Sequence, residues 1–345
     1  MKIVIDDKIP FIKGEAERLG ETVYLRGDSI SAADVRHADA LIVRTRTLCN
    51  RQLLEGSSVK FIATATIGYD HLDTDYLAQA GIAWANCPGC NATSVAQYVQ
   101  NALLLLEQAD YISLAHTTVG IVGVGHVGTK VEQAVRALGC RVLLYDPPRQ
   151  ERGDHGFCSL EELTAQADVI TLHTPLTHSG AHATFHMANA AFFDRLQRRP
   201  VFINSGRGEV VDEVALKGAL ATGKIRTAVI DTWEHEPQID RELLQQVFIG
   251  TPHIAGYSAD GKANGTRMAL EAVARHFGKE ADFEILPPSL PEGYAYYAER
   301  FSLDHPHAPY LRLYDPRRDS DALKQKPEDF ERLRGNYPLR REAFS

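Results

Sequence analysis

The chain reads as an α/β protein of two doubly wound parallel-sheet domains with a small C-terminal segment, and three observations predict this. Short β-branched runs alternate with helix-period stretches from the N-terminus to about residue 285, the pattern of parallel strands joined by crossover helices. One of those strands runs directly into a GxGxxG turn that opens a helix. Beyond residue 286 the alternation stops: LPPSLPEGY (286–294) clusters prolines, Tyr294, Tyr296, Tyr297 and Phe301 crowd together, and charged residues follow.

In order, KIVID (2–6), ALIVR (40–44), KFIATAT (60–66) and IAWAN (82–86) are the strands of a first α/β block. A long helix follows from Asn91 to Glu107, with Asn91 as N-cap and Val95, Val99, Ala102, Leu103 and Leu106 forming one apolar stripe. The second block runs through TVGIVGVG (118–125), RVLLYD (141–146), DVITLHT (168–174), PVFIN (200–204), TAVID (227–231) and VFIG (247–250). A helical stretch from Ala259 to Phe277 leads back to the first block, so the second is inserted into it, with a cleft expected between them. The expected domains are 1–95 plus 258–285 for substrate, 96–257 for a nucleotide, and 286–345 as a segment too short for a core of its own.

Composition narrows the function. With 44% hydrophobic and 24% charged residues the chain is ordinary for a globular protein, and its net charge of −8 argues against nucleic acid and anionic membranes as partners. No apolar run approaches the ~18 residues of a membrane span. The N-terminus MKIVIDDKIP reads as a strand rather than a signal peptide, and five scattered cysteines suit a reducing compartment, so a cytoplasmic protein is expected.

Gly123-Val124-Gly125-His126-Val127-Gly128 follows a strand, and Val127, Val131, Ala134, Val135 and Leu138 then repeat at helical spacing. Asp146 closes the next strand, 18 residues past Gly128. The first glycine permits a tight turn, the second admits a pyrophosphate, the third lets helix and strand approach, and the helix N-terminus faces the phosphates. Asp146 would bond the ribose hydroxyls and repel a 2′-phosphate, which predicts NAD as cofactor, with Arg149 nearby tempering the preference.

Three further strand ends each carry one reactive side chain: Arg207 in FINSGRGEVVD, Glu236 in VIDTWEHEP and His253 in VFIGTPHIAG. An imidazole titrates near neutrality and suits a general base, a neighbouring carboxylate fixes its tautomer, and a guanidinium fork orients a substrate carboxylate. Cys87 and Cys90 have CxxC spacing, but no second pair accompanies them. His178, His182 and His186 recur every four residues across a Ser-Gly interruption that argues for a loop; no metal is predicted.

These motifs resemble the D-isomer-specific 2-hydroxyacid dehydrogenases, whose Arg–Glu–His set matches Arg207, Glu236 and His253, with the histidine as proton donor and acceptor. The resemblance implies a flavodoxin-like substrate domain, a Rossmann NAD domain, and dinucleotide contacts from Thr174, Ser205, Gly206, Asp231 and Gly256 as well as Asp146. Through ALIVRTRT, ATATIGYDHLD, CPGCNATSVAQYV, HIAGYSADGKANGT and LYDPRRD it extends to a subgroup whose substrate carries a carboxylate at one end and a phosphate at the other. Thr45, Thr66 and Tyr257 would then touch substrate, and Arg44 and Arg46, flanking Thr45, would read the phosphate. The same resemblance implies a homodimer formed through the tail, with Arg340 and Arg341 as candidates to reach a partner's site. Other expectations are a different D-2-hydroxyacid such as 3-phosphoglycerate or hydroxypyruvate and, in another class, an NAD-sensing binding protein.

Overall fold

The computed structural model describes residues 1–280, 282–298, 307–338 and 340–343, so Phe301 lies outside the described residues. Two compact units make up the chain: Met1–Asn91 with Ser258–Ser289, and Ala92–Tyr257 with Leu290–Ser345. No helix among the described residues is long and apolar enough to cross a membrane.

The first unit holds a parallel sheet of β1 (Lys2–Asp6), β2 (Glu21–Leu25), β3 (Ala40–Val43), β4 (Phe61–Thr64) and β5 (Ala83–Ala85), in the order β2-β1-β3-β4-β5. Because side chains alternate along a strand, Ile3, Ile5, Ala40 and Ile42 face one core while Val4, Leu41, Val43 and Ile62 face another. Both faces are covered, as a parallel sheet with crossover helices requires. The first core is closed by Ala269, Leu270 and Val273 of the helix Ala259–His276, which is N-capped by Ser258 accepting from the Gly261 amide at 2.8 Å. Strand β2, ETVYL, is not among the predicted strands; it lies at the sheet edge with an exposed first residue and no fully buried one. Asn91 does not cap the long helix: its side-chain oxygen is buried without a donor, where Gly261 approaches it closely.

In the second unit the parallel strands are β6 (Thr118–Val122), β7 (Arg141–Tyr145), β8 (Val169–Leu172), β9 (Val201–Asn204), β10 (Thr227–Ile230) and β11 (Ile249–Gly250), ordered β11-β10-β9-β8-β6-β7. The chain leaves β6 for β7 on one side and returns to β8 on the other, so the switch point lies between β6 and β8, where an open sheet binds its ligand. The long helix spans Ala92–Gln108, and its burial exceeds the predicted stripe: Ser94, Gln97 and Asn101 are buried as well. The tail explains this, since Asn101 donates to the Tyr310 and Tyr314 carbonyls and Gln97 to that of Arg341.

The tail also covers the edge of the sheet, Ser320 accepting from the Gly250 amide of β11 at 3.1 Å. Arg340 and Arg341, expected to reach a partner's site, are instead buried in their own chain. The Arg340 guanidinium donates to the carbonyls of Ile254 (3.0 Å), Ala255 (2.6 Å) and Tyr257 (2.8 Å), to Gln97 and Ser94, and lies 3.8 Å from the Tyr314 ring centroid. Its counter-charge is Asp319, which accepts from the Tyr296 and Tyr337 hydroxyls at 2.9 and 3.1 Å. Burial pushes the Asp319 carboxyl up to about 6, against the pull of Arg340. Replacing Arg340 with Met, close in length and uncharged, leaves those carbonyls and Asp319 without their cation; urea unfolding should show a loss of about 3–5 kcal/mol.

Candidate active site

The loop after β11 is fixed from beneath by Asp231, the residue that follows β10. Its buried carboxylate accepts from the amides of Ile254 (2.8 Å) and Ala255 (2.9 Å) and from the Thr251 hydroxyl (2.6 Å), while its carbonyl takes the His253 amide at 2.8 Å. Burial raises the Asp231 carboxyl, and His253 with the Thr251 hydroxyl and the two amides oppose that. Held so, His253 adopts φ +56°, a left-handed conformation that costs a non-glycine residue of order 1–3 kcal/mol.

His253 Nδ1 then lies 2.8 Å from Glu236 Oε2 and 3.1 Å from Oε1. Glu236 closes its own turn by accepting from the Trp233 amide at 3.0 Å, and the buried Trp233 indole donates to the Thr251 carbonyl at 2.9 Å. Burial would raise the Glu236 carboxyl, but the His253 charge and hydrogen bond, the Trp233 amide and Arg334 outweigh it and hold the group below its usual range. Arg207 follows β9 by three residues; its Nη1 donates to the Gly206 carbonyl, and Asn204 donates to the Arg207 carbonyl at 3.1 Å and to that of Thr232 at 3.4 Å. A Cβ on Gly208 would fall 1.9 Å from the Trp233 carbonyl, so only glycine lets the Arg207 segment lie against the turn that carries Glu236. The structure thus draws the segments bearing Arg207, Glu236 and His253 together through Asn204, Gly208 and Trp233.

At the switch point the three glycines differ in kind. Gly123, at φ +84°, abuts the backbone of His173 and Thr174 after β8; Gly128 lies so close to the Gly123 carbonyl that a Cβ would sit at 2.1 Å; Gly125 faces open space. His126 opens the helix His126–Ala137 and is exposed, with Val127 half-buried behind it. Asp146 accepts from the Val124 amide at 2.8 Å and the Arg149 amide at 3.0 Å, latching the glycine turn to its own strand end. Arg149 is bonded to Asp154 (2.7 Å) and the Val124 carbonyl (2.7 Å). Thr174 and Ser205 bury hydroxyls that have no partner among the described residues; Gly206 lies close to the carbonyls of Leu172 and Thr174, and Gly256 falls between two residues whose carbonyls Arg340 holds.

In the first unit, Arg44 is committed to the buried Asp6, Nε to Oδ2 at 3.0 Å and Nη2 to Oδ1 at 3.2 Å, whereas Thr45 and Arg46 are exposed. Thr66 donates to the Gly68 carbonyl (2.9 Å) and so accepts from Thr64 (2.7 Å), which in turn receives His71 Nε2–H (3.0 Å). Burial lowers the His71 imidazole, outweighing the opposing charge of Asp70. Tyr257, at the end of the second unit's loop, takes a hydrogen bond from Arg334. The histidines at 178, 182 and 186 lie outside any helix; His182 pairs with Glu151 and His186 with Glu234. Cys87 and Cys90 are unbridged in a turn, the Cys87 thiol donating to the Thr64 and Gly265 carbonyls.

Residues 91–255 match the model of the D-isomer specific 2-hydroxyacid dehydrogenase NAD binding domain. Erythronate-4-phosphate dehydrogenase of Bacteroides thetaiotaomicron is 54% identical over 344 residues, covering 99% of this chain and 97% of that one. The enzyme of the same name from Edwardsiella ictaluri is 46% identical, covering 100% and 94%. The chain belongs to the D-isomer specific 2-hydroxyacid dehydrogenase family. Among solved structures, NAD-bound 3-phosphoglycerate dehydrogenase of Entamoeba histolytica superposes with a TM-score of 0.67 at 23% identity, over 83% of this chain and 98% of that one, a likeness of fold.

The family's NAD-binding domain has a fitting site here. Gly125 leaves room at the start of a helix, and the unpartnered Thr174 and Ser205 hydroxyls mark polar positions that a bound ligand can satisfy. Sequence reasoning missed the Asp231 clamp, the Asp6–Arg44 pair and Arg334; none carries a local motif, since each partner is remote in the chain. The glycines provide a test. Gly128→Ala should cost about 1–3 kcal/mol in denaturant unfolding, because its methyl meets backbone. Gly125→Ala should stay within about 0.5 kcal/mol of the parent yet weaken NAD binding roughly tenfold or more by calorimetry, because its methyl meets only the room for ligand.

Proposed function

We propose that the chain oxidises C2 of 4-phospho-D-erythronate to 2-oxo-3-hydroxy-4-phosphobutanoate with NAD, a step of pyridoxal 5′-phosphate biosynthesis, in the cytoplasm and as a homodimer. The observation that carries the reading is the 2.8 Å contact of His253 Nδ1 with the Glu236 carboxylate. A carboxylate accepts only, so Nδ1 carries the proton and Nε2 keeps a lone pair for substrate. The names of the relatives, matched along nearly the whole chain, support the substrate.

When bound, NAD supplies the hydride acceptor. His253 Nε2 takes the C2 hydroxyl proton, the resulting imidazolium is stabilised by Glu236, and Arg207 holds the carboxylate of the substrate. The turn at Gly123, Gly125 and Gly128, with His126 and Val127 opening its helix, would hold the pyrophosphate, and Asp146 the ribose hydroxyls. Thr174, Ser205, Gly206, Asp231 and Gly256 would line the remainder. With Arg149 bonded to Asp154 and Val124, no guanidinium at that position is left to welcome a 2′-phosphate, which favours NAD over NADP. By the family resemblance Thr45 and Thr66 of the first unit, read as the substrate domain, would contact substrate, as would Tyr257. Arg46 reads the phosphate beside an Arg44 oriented by Asp6.

NAD reduction with erythronate 4-phosphate, beside 3-phosphoglycerate and other 2-hydroxyacids, tests this. Turnover should favour the first substrate, and His253→Ala should lower kcat by about 10²–10⁴-fold. A preference for 3-phosphoglycerate would displace the substrate, and NAD binding without turnover of any hydroxyacid would displace the enzyme in favour of an NAD-responsive binder. Arg44→Gln with Arg46→Gln should raise KM for the phosphorylated substrate; an unchanged KM would remove the phosphate assignment. Sedimentation equilibrium should give twice the chain mass of 38.2 kDa.

A further inference from the structure

Arg334 lies on the helix Phe330–Gly335, near the end of the chain and about a hundred residues from the strand-end segments. Its Nη1 is 3.5 Å from Glu236 Oε2, the oxygen that meets His253 Nδ1 at 2.8 Å, and its Nε is 3.3 Å from the Tyr257 hydroxyl. The Arg334 side chain is 23% exposed and that of Glu236 17%, so the contact is partly shielded from solvent. Tyr337, one turn further on, packs edge-on against Tyr257 with ring centroids 5.9 Å apart.

We infer that Arg334 is a positioning residue for the His253–Glu236 pair, a fixed cation from the tail that shares one Glu236 oxygen with the imidazole and so weakens the carboxylate's hold on the imidazole proton. This rests on the reading of His253 as the general base. Glu236 alone favours imidazolium, and an imidazole already protonated at working pH cannot take the substrate proton. A guanidinium on the same oxygen offsets part of that negative potential without removing the hydrogen bond that sets the tautomer. Among the described residues Asp231 also faces His253, with a charge of the same sign as Glu236, and Glu331 offsets Arg334 from its own helix. Tyr257 bridges the guanidinium to the loop and is oriented by it.

The test uses the full-length dimer or monomer as purified. In Arg334→Gln, the acidic limb of kcat/KM against pH should move about one unit upward, with NAD affinity unchanged, while Arg334→Lys restores most of the wild-type profile. Arg332→Gln, which breaks a pair between an exposed arginine and Asp329 just before the same helix, should leave the profile as it was. Independently of turnover, NMR titration of the His253 imidazole, assigned by its loss in H253Q, should show the same upward shift in Arg334→Gln. If both the limb and the imidazole titration stay put in a variant that still binds NAD, or if the Lys variant shifts as far as Gln, the inference is overturned. Should Arg334→Gln fail to fold, the same titration on Arg334→Met with NAD bound decides. If the imidazole titration shifts but the wild type turns over no hydroxyacid, the assignment of Arg334 stands and the proposed reaction falls.

Discussion

The loop that carries His253 depends on two opposite charges gripping the same stretch of backbone. From one side the Asp231 carboxylate accepts the amides of Ile254 and Ala255; from the other the Arg340 guanidinium donates to the carbonyls of Ile254, Ala255 and Tyr257. Each charge is buried, and each would be costly alone. Polar peptide groups between them satisfy both. That double hold keeps His253 at φ +56°, a conformation that persists only when its surroundings over-determine it. Left-handed at that one position, the imidazole turns Nδ1 onto Glu236 rather than away from it.

Every strand of the second sheet carries a proposed site residue just past its carboxyl end. Gly123 follows β6, Asp146 β7, Thr174 β8, Ser205 to Arg207 β9, Asp231 β10 and His253 β11. Parallel strands make this possible, since all six deliver their loops to the same side, and the switch between β6 and β8 opens a gap there. Close approach then does the finer work. Gly208 against the Trp233 carbonyl and Gly128 against the Gly123 carbonyl bring backbone to distances that no other residue permits.

The strands, and the positions of Arg207 and His253 just past two of them, were legible in the sequence because both are local signals. A β-branched run of four residues announces itself, and so does a reactive side chain one to five residues past it, as at Arg207 and His253. Strand β2 was not, because at a sheet edge with half-exposed residues it lacks the continuous apolar run that marks its neighbours. The wider burial of the Ala92–Gln108 helix, taking in Gln97 and Asn101, was read as a single stripe because the surface that covers those residues comes from the tail, more than 200 residues away in the chain. Arg44 looked like an open cation beside Thr45 until the fold set it against Asp6, 38 residues earlier. Charged residues are the least predictable from local pattern, since an arginine that reads an anion and one that staples carbonyls are the same letter.

In the proposed mechanism the Glu236 carboxylate plays two parts toward His253. A carboxylate beside an imidazole has two effects that pull against each other: it fixes the tautomer that leaves Nε2 open, and it stabilises the protonated form. A dehydrogenase base must both accept and return a proton, so the best affinity lies near the working pH rather than far above it. Distance cannot separate the two effects, because the hydrogen bond that sets the tautomer is also the contact through which the charge acts. A second cation on the carboxylate does separate them, leaving the hydrogen bond in place while lowering the net negative potential. Here the tail brings such a cation to Glu236, with Arg334 Nη1 3.5 Å from its Oε2.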